Sequence, residues 1–223
     1  MEIGYWNTKG LAEPCRWTLA YLGLESTEYN PADKEEWAAK KPSMGAFPNL
    51  PYIKDGDFVL SETAAMWTYI AHKANKPEFL GKDGQEAARV RQIEGVINDI
   101  KMNLTKVMYS EDKAAAAKEA FAEGSAVHKK LAEINNYLEG RQFIVSDVTI
   151  ADLLTAYFVE FICSVGVTMT GECPLKQYPN LLAHGNRVRN LAGIKQVVEK
   201  RKDMPYSTGL KPFSELDCLK CCE

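Results

Sequence analysis

The chain has 223 residues, of which 46% are hydrophobic and 26% charged, enough material for one large globular domain or two small ones. A net charge of −3 gives no general electrostatic footing for nucleic acid or an anionic membrane. Met1 to Trp17 holds no uninterrupted apolar core of signal-peptide length, and six cysteines without a secretion signal read as reduced thiols of a cytoplasmic protein.

In chain order, Glu2 to Asn7 reads as a first strand and Leu11 to Leu22 as a helix, with Leu11, Cys15, Leu19 and Leu22 at helical spacing. Pro14 falls in its first turn, where a missing N–H costs little. Ser26 to Tyr29 is a second short strand, so the two strands of this βαβ unit are parallel. Asp33 to Lys41 is a polar helix. The most informative stretch follows, Phe47 to Thr63, FPNLPYIKDGDFVLSET. It has an x-Pro step at Leu50-Pro51, strands at Tyr52-Ile53 and Phe58 to Leu60, and a turn signal at Asp55-Gly56. Ser61-Glu62-Thr63 then opens an apolar-periodic helix to Lys73, and residues of this type cap helix starts, where free N–H groups attract an anion. A proline-presented strand edge beside such a helix end suits a small ligand with peptide backbone and a carboxylate. An ordinary hairpin and helix without a ligand fits the same residues. The resulting order, β-α-β-α-β-β-α, is thioredoxin-like.

Asn75 to Gly84 is rich in breakers and reads as a linker. Beyond it Val90, Ile93, Ile97, Ile100, Leu104 and Val107 line one helical face, and Val127, Leu131, Ile134 and Leu138 line the next. Val148 to Leu153 carries a capping box, Thr149 with Asp152 three residues on. Ile150 to Val167 is interrupted by Asp152 and Glu160, which argues against a membrane span. Leu175 to Leu191 reads as a further helix, and the cations of VVEKRK at 197–202 as a solvated helix end. The expectation is a thioredoxin-like α/β domain at 1–74, a linker at 75–84, an all-α domain at 85–206 and a tail at 207–223.

With that layout in place, the residues resemble the cytosolic glutathione transferase family, and within it most closely the mu class. The resemblance runs from Glu2 to about Met204 and is carried by Gly4-Tyr5-Trp6 followed by Gly10-Leu11-Ala12, by Phe47 to Tyr52, and by the box at Thr149. It implies that Tyr5 hydrogen-bonds the glutathione sulfur, which favours thiolate over thiol and supplies a nucleophile near neutral pH. It implies that Trp6, Trp37 and a lysine hold the glycine end. Counting on from Trp37 gives Lys41 and counting back from Phe47 gives Lys40; Lys41 is preferred. Asn49 and Leu50 fall at the turn that pairs with the cysteinyl unit, before an expected cis Pro51. Glu62 and Thr63 stand where the mu pattern has Gln-Ser; Glu62 would face the γ-glutamyl ammonium, and Thr63 would cap the helix and bind the carboxylate. Leu11 is assigned to both the glutathione and the second-substrate sites, Met102 and Tyr109 to the latter. Asp99 matches an acidic residue reaching glutathione across a homodimer interface, and Phe47 an aromatic that inserts into the partner. The implied activity is conjugation of glutathione, as co-substrate and without a metal, to small hydrophobic electrophiles. Neither nucleic acid nor a membrane is an expected partner.

Other readings are open at this level. A thiol transferase would use Cys15, although that residue comes after Pro14 and reads better as a buried apolar cysteine. A glutathione-dependent isomerase of the prostaglandin-making type would use the same thiolate, and a ligand-binding relative would keep the fold without turnover. The end of the tail, Cys218 to Glu223, has a lone C-x-x-C and no prenylation box, and the tail as a whole reads as disordered with exposed thiols.

Overall fold

A computed structural model describes residues 1–216. The N-terminal half contains β1 (Glu2–Gly4), α1 (Glu13–Tyr21), β2 (Thr27–Tyr29), α2 (Lys34–Lys40), β3 (Tyr52–Asp55), β4 (Phe58–Ser61) and α3 (Thr63–Lys73). The sheet order is β2-β1-β3-β4, with β1 and β2 parallel and the other pairs antiparallel. This is the thioredoxin-like arrangement expected from the strand and helix order. Ile3 lies opposite Ile53, and both are fully buried. Gly4 faces Tyr52, whose ring fills the space a side chain at position 4 would need. β1 is shorter than the expected Glu2 to Asn7, because the Thr8 N–H turns back onto the Trp6 carbonyl at 2.7 Å and lifts the chain off the sheet.

The second half is helical: α4 (Gly84–Met108), α5 (Lys113–Phe121), α6 (Ala126–Tyr137), α7 (Ile150–Thr170), α8 (Pro179–Arg189) and α9 (Ile194–Lys200). The faces read from the sequence on α4 and α6 are buried at every position named above. α5 was not visible in the sequence: its Ala114 to Ala117 run has no apolar stripe, and the helix starts because Asp112 accepts the Ala115 N–H at 2.9 Å. α7 is long and apolar enough to cross a membrane, but 89% of its most apolar window is buried within the protein, so it is the core helix. One continuous apolar cluster joins both halves, and Trp37, Met44 and Tyr52 form a small separate one.

Asp152 does more than close the capping box. One carboxylate oxygen accepts the Thr149 N–H at 2.8 Å and its hydroxyl at 2.9 Å; the other accepts the Ile144 N–H at 2.8 Å and lies 2.9 Å from His184 Nε2.

Four expectations are corrected. Glu62 occupies the cap position of α3 and Thr63 is its first helical residue, so Thr63 does not cap the helix. The cations after α9 are not all solvated, since Arg201 pairs with the fully buried Glu13 at 3.0 Å. The start of the tail is ordered: Ser164 donates to the Lys211 carbonyl at 2.6 Å, Thr168 accepts the Lys211 N–H at 3.0 Å, and Leu210 and Leu216 are buried. The thiols are not all reduced, because Cys163 is disulfide-bonded, a pairing that spacing in sequence does not reveal. Cys218 to Cys222 lie outside the described residues.

Candidate active site

The turn that ends β1 brings Tyr5 and Trp6 to the edge of a cleft of about 660 Å³ between the two halves. Tyr5 is held by its neighbours in the following loop. Gly10, at φ 47°, passes so close to the ring that a Cβ there would lie 2.3 Å from Cε1, which only glycine allows. Burial raises the Tyr5 pKa above its ordinary value of 10.0; a hydrogen bond from the Leu11 backbone acts in the opposite direction, as does Arg16, while Tyr109 adds a smaller upward push. The phenol is therefore neutral at physiological pH and has a proton to donate, and the Leu11 N–H polarises its oxygen.

The helical half supplies the opposite wall. Lys101, Thr105 and Met108 of α4 line it, one helical face at i, i+4 and i+7, followed by Tyr109, which is 87% exposed at the rim. Tyr157, Phe158 and Phe161 of α7 form the apolar floor, and Tyr206 to Thr208 close the far side. The loop that carries Gly10 is fastened to this half: the Lys9 and Gly10 N–H groups bond the Pro205 and Tyr206 carbonyls, each at 3.0 Å, and Tyr157 donates to the Gly10 carbonyl at 2.6 Å. Tyr206 is fixed in turn by donating to Glu160 at 2.5 Å, beside the buried Lys9, whose ammonium lies 3.5 Å from Glu160. Lys9, Tyr157 and Tyr206 have no local sequence signature, because their proximity is set by tertiary packing.

The other expected residues divide into three groups. Leu11 and Trp6 line the cleft with Tyr5 and Tyr109. Asn49, Leu50 and Pro51 form the sheet-edge turn: the Leu50–Pro51 peptide is cis, and the Leu50 N–H is held by Asn49 Oδ1 at 3.0 Å. Glu62 is exposed at φ 66°, ψ 110°, a strained conformation for a residue with a side chain. Thr63 borders a smaller cleft of about 300 Å³ that shares Leu11, Lys101, Tyr157 and Phe158 with the larger one. Trp37 is largely buried and stacks on Tyr52, ring centroids 6.1 Å apart. Lys40 lies over the Tyr29 ring at 3.6 Å and 3.9 Å from Glu2, whereas Lys41 is exposed and makes no ion pair among the described residues. Asp99 and Met102 are exposed on α4 and line neither cleft; Met102 sits about 100° round the helix from Lys101, which does.

Cys15 is fully buried in α1, and burial pushes its thiol up to about 12. A thiol in that state does not serve as a nucleophile near neutral pH.

A thioredoxin-like sheet carrying a tyrosine at a cleft shared with an all-α half defines a class of protein, and comparison with known sequences places the chain within it. The family descriptions "Glutathione S-transferase, N-terminal domain" and "Glutathione S-transferase, C-terminal domain" match residues 1–72 and 98–201. A class-mu 26 kDa glutathione S-transferase isozyme of Fasciola hepatica is 31% identical over 205 residues, covering 90% of this chain and 89% of that one. Glutathione S-transferase B of Cavia porcellus is 30% identical, with 92% and 94% covered. Among solved structures, a pi-class glutathione S-transferase of Onchocerca volvulus superposes with a TM-score of 0.79 at 19% identity, covering 94% of this chain and 99% of that one. The chain belongs to the glutathione S-transferase family, whose members use glutathione as co-substrate.

Proposed function

We propose that the protein conjugates the glutathione thiolate to small hydrophobic electrophiles, with Tyr5 stabilising the thiolate. The observation that carries this reading is the neutral Tyr5 phenol at the wall of a cleft with an apolar floor, polarised by the Leu11 N–H. A sulfur bound against that hydroxyl is favoured as thiolate, since a donor stabilises the charged form. Glutathione would lie along the cis-Pro51 turn, its cysteinyl unit on Leu50 and its γ-glutamyl end at Glu62 and Thr63. The strain at Glu62 supports that assignment, because such strain clusters at ligand sites. The start of α3 offers free N–H groups to the γ-glutamyl carboxylate. Trp6 and Lys41 would face the glycine end, Lys41 being, of Lys40 and Lys41, the one without an ion pair among the described residues. The electrophile would sit against Leu11, with Tyr109 able to donate to charge developing on it. A homodimer with Phe47, 80% exposed, seated in its partner, Asp99 reaching the neighbouring glutathione, and a cytosolic location complete the proposal.

The test is glutathione conjugation to chlorodinitrobenzene. Tyr5→Phe is expected to lower kcat/KM at least tenfold, about 1.4 kcal/mol of transition-state stabilisation, while Cys15→Ser leaves it unchanged. Retention of rate in Tyr5→Phe with loss in Cys15→Ser would replace this mechanism by thiol transfer. A prostaglandin-type endoperoxide isomerised with full return of glutathione would replace conjugation as the reaction.

A further inference from the structure

We infer that the second substrate is an apolar organic anion whose charge is held by Lys101 and Lys113. The inference rests on the transferase reading above and specifies its substrate class. The larger cleft carries two ammonium groups and, among the described residues, no carboxylate. Lys101 projects from α4, and Lys113 is the first residue of α5, just beyond Tyr109. Neither forms an ion pair among the described residues, so both ammonium groups are open to a ligand. In a chain of net charge −3, a cleft lined by two lysines and, among the described residues, by no carboxylate gives a local field that favours an anion more than the molecule as a whole does. The apolar walls from Phe158 and Phe161 reduce water's screening and strengthen that field.

Glutathione does not account for Lys113. The residues proposed to hold glutathione lie along the sheet edge and the start of α3, and only Tyr5, Trp6 and Leu11 of them reach the larger cleft. Lys113 borders that cleft but not the smaller one beside Thr63, while Lys101 borders both. The substrate is thus amphipathic: its reactive carbon at Tyr5 and Tyr109, its apolar body on α7, and its anion at the two lysines, with the Thr105 and Thr208 hydroxyls in the same lining as further donors.

The probes are two aromatic enones, identical except that one bears a carboxylic acid and the other its methyl ester. With either, the glutathione sulfur bonds to the β-carbon as the thiol loses its proton. The π pair moves to form an enolate, the α-carbon takes up a proton, and no group leaves. Affinity is read first, by tryptophan fluorescence titration, so the outcome does not depend on turnover. Wild type is expected to bind the acid about tenfold more tightly than the ester, as charge contacts with the half-buried Lys101 and the exposed Lys113 allow. The acid/ester ratio in kcat/KM is expected to follow. The ratio should fall below about threefold in the Lys101→Gln/Lys113→Gln double variant and persist in Lys113→Arg, which keeps the charge. Equal affinity of wild type for acid and ester overturns the inference, as does an unchanged ratio in the double variant or an effect confined to the KM for glutathione. Loss of turnover on chlorodinitrobenzene by wild type, with the acid still preferred in binding, overturns the transferase reading and leaves this one standing.

Discussion

Glu62 holds a backbone conformation that costs a residue with a side chain about 1–3 kcal/mol, and glycine would adopt it freely. Glu62→Gly is therefore expected to stabilise the fold by about 1 kcal/mol, read as a higher thermal midpoint. The same change would raise the KM for glutathione, because the carboxylate proposed to face the γ-glutamyl ammonium is gone. A lower midpoint would mean that Glu62 makes contacts that outweigh its strain. At this scale the sequence shows a good deal. The turn at Asn49-Leu50-Pro51 and the pairing of Tyr5 with the Gly10-Leu11 loop are local, so neighbouring residue types carry the information. Lys101 and Lys113 carry no such mark, since what distinguishes them is their place in a cleft that only the folded chain creates and that, among the described residues, has no carboxylate in its lining.

Among the elements, α7 depends on one carboxylate. Asp152 is fully buried and accepts from Thr149, Ile144 and His184 together. Removing it leaves two backbone N–H groups and a histidine without their acceptor, each at about 1–3 kcal/mol, and removes the cap of the core helix as well. Asp152→Ala is expected to cost at least 3 kcal/mol in urea unfolding, and Asp152→Asn less, because its carbonyl oxygen keeps part of the network. A loss below 1 kcal/mol for the alanine variant would show that α7 forms without this support. The Thr149–Asp152 spacing made the box legible in the sequence, while the bonds to Ile144 and His184 come from other segments and were not. The helices with an apolar stripe, α4 and α6, were legible for the same local reason. α5 was hidden because its alanines bury little and its start depends on a single Asp112 cap.

For the whole molecule, alkaline pH offers a direct readout of burial. Tyr5, Tyr52, Tyr157 and Tyr206 all have pKa values raised above 10.0, in each case chiefly by burial. In the unfolded chain these phenols titrate near 10, so above that pH the unfolded state binds fewer protons than the folded one, and stability falls as pH rises. Below it the four groups contribute no slope. The thermal midpoint is expected to be flat with respect to these groups up to about pH 9.5 and to drop steeply towards pH 11; a midpoint that holds or rises there would show that the phenols ionise freely in the native state.

The fastening of residues 9 and 10 to Pro205 and Tyr206 gives hydrogen exchange an unusual ordering. Those two amides belong by sequence to the α/β half, yet their acceptors are carbonyls near the other end of the chain. When that end lifts away, their protection is lost while the sheet stays closed. They should exchange in step with the Lys211 amide, which is bound to Thr168, and faster than Ile53 in the middle of the sheet. The loop that holds Tyr5 is therefore expected to open on the timescale of the C-terminal segment, and a ligand that slows exchange at Lys211 should slow it at Gly10 by the same factor.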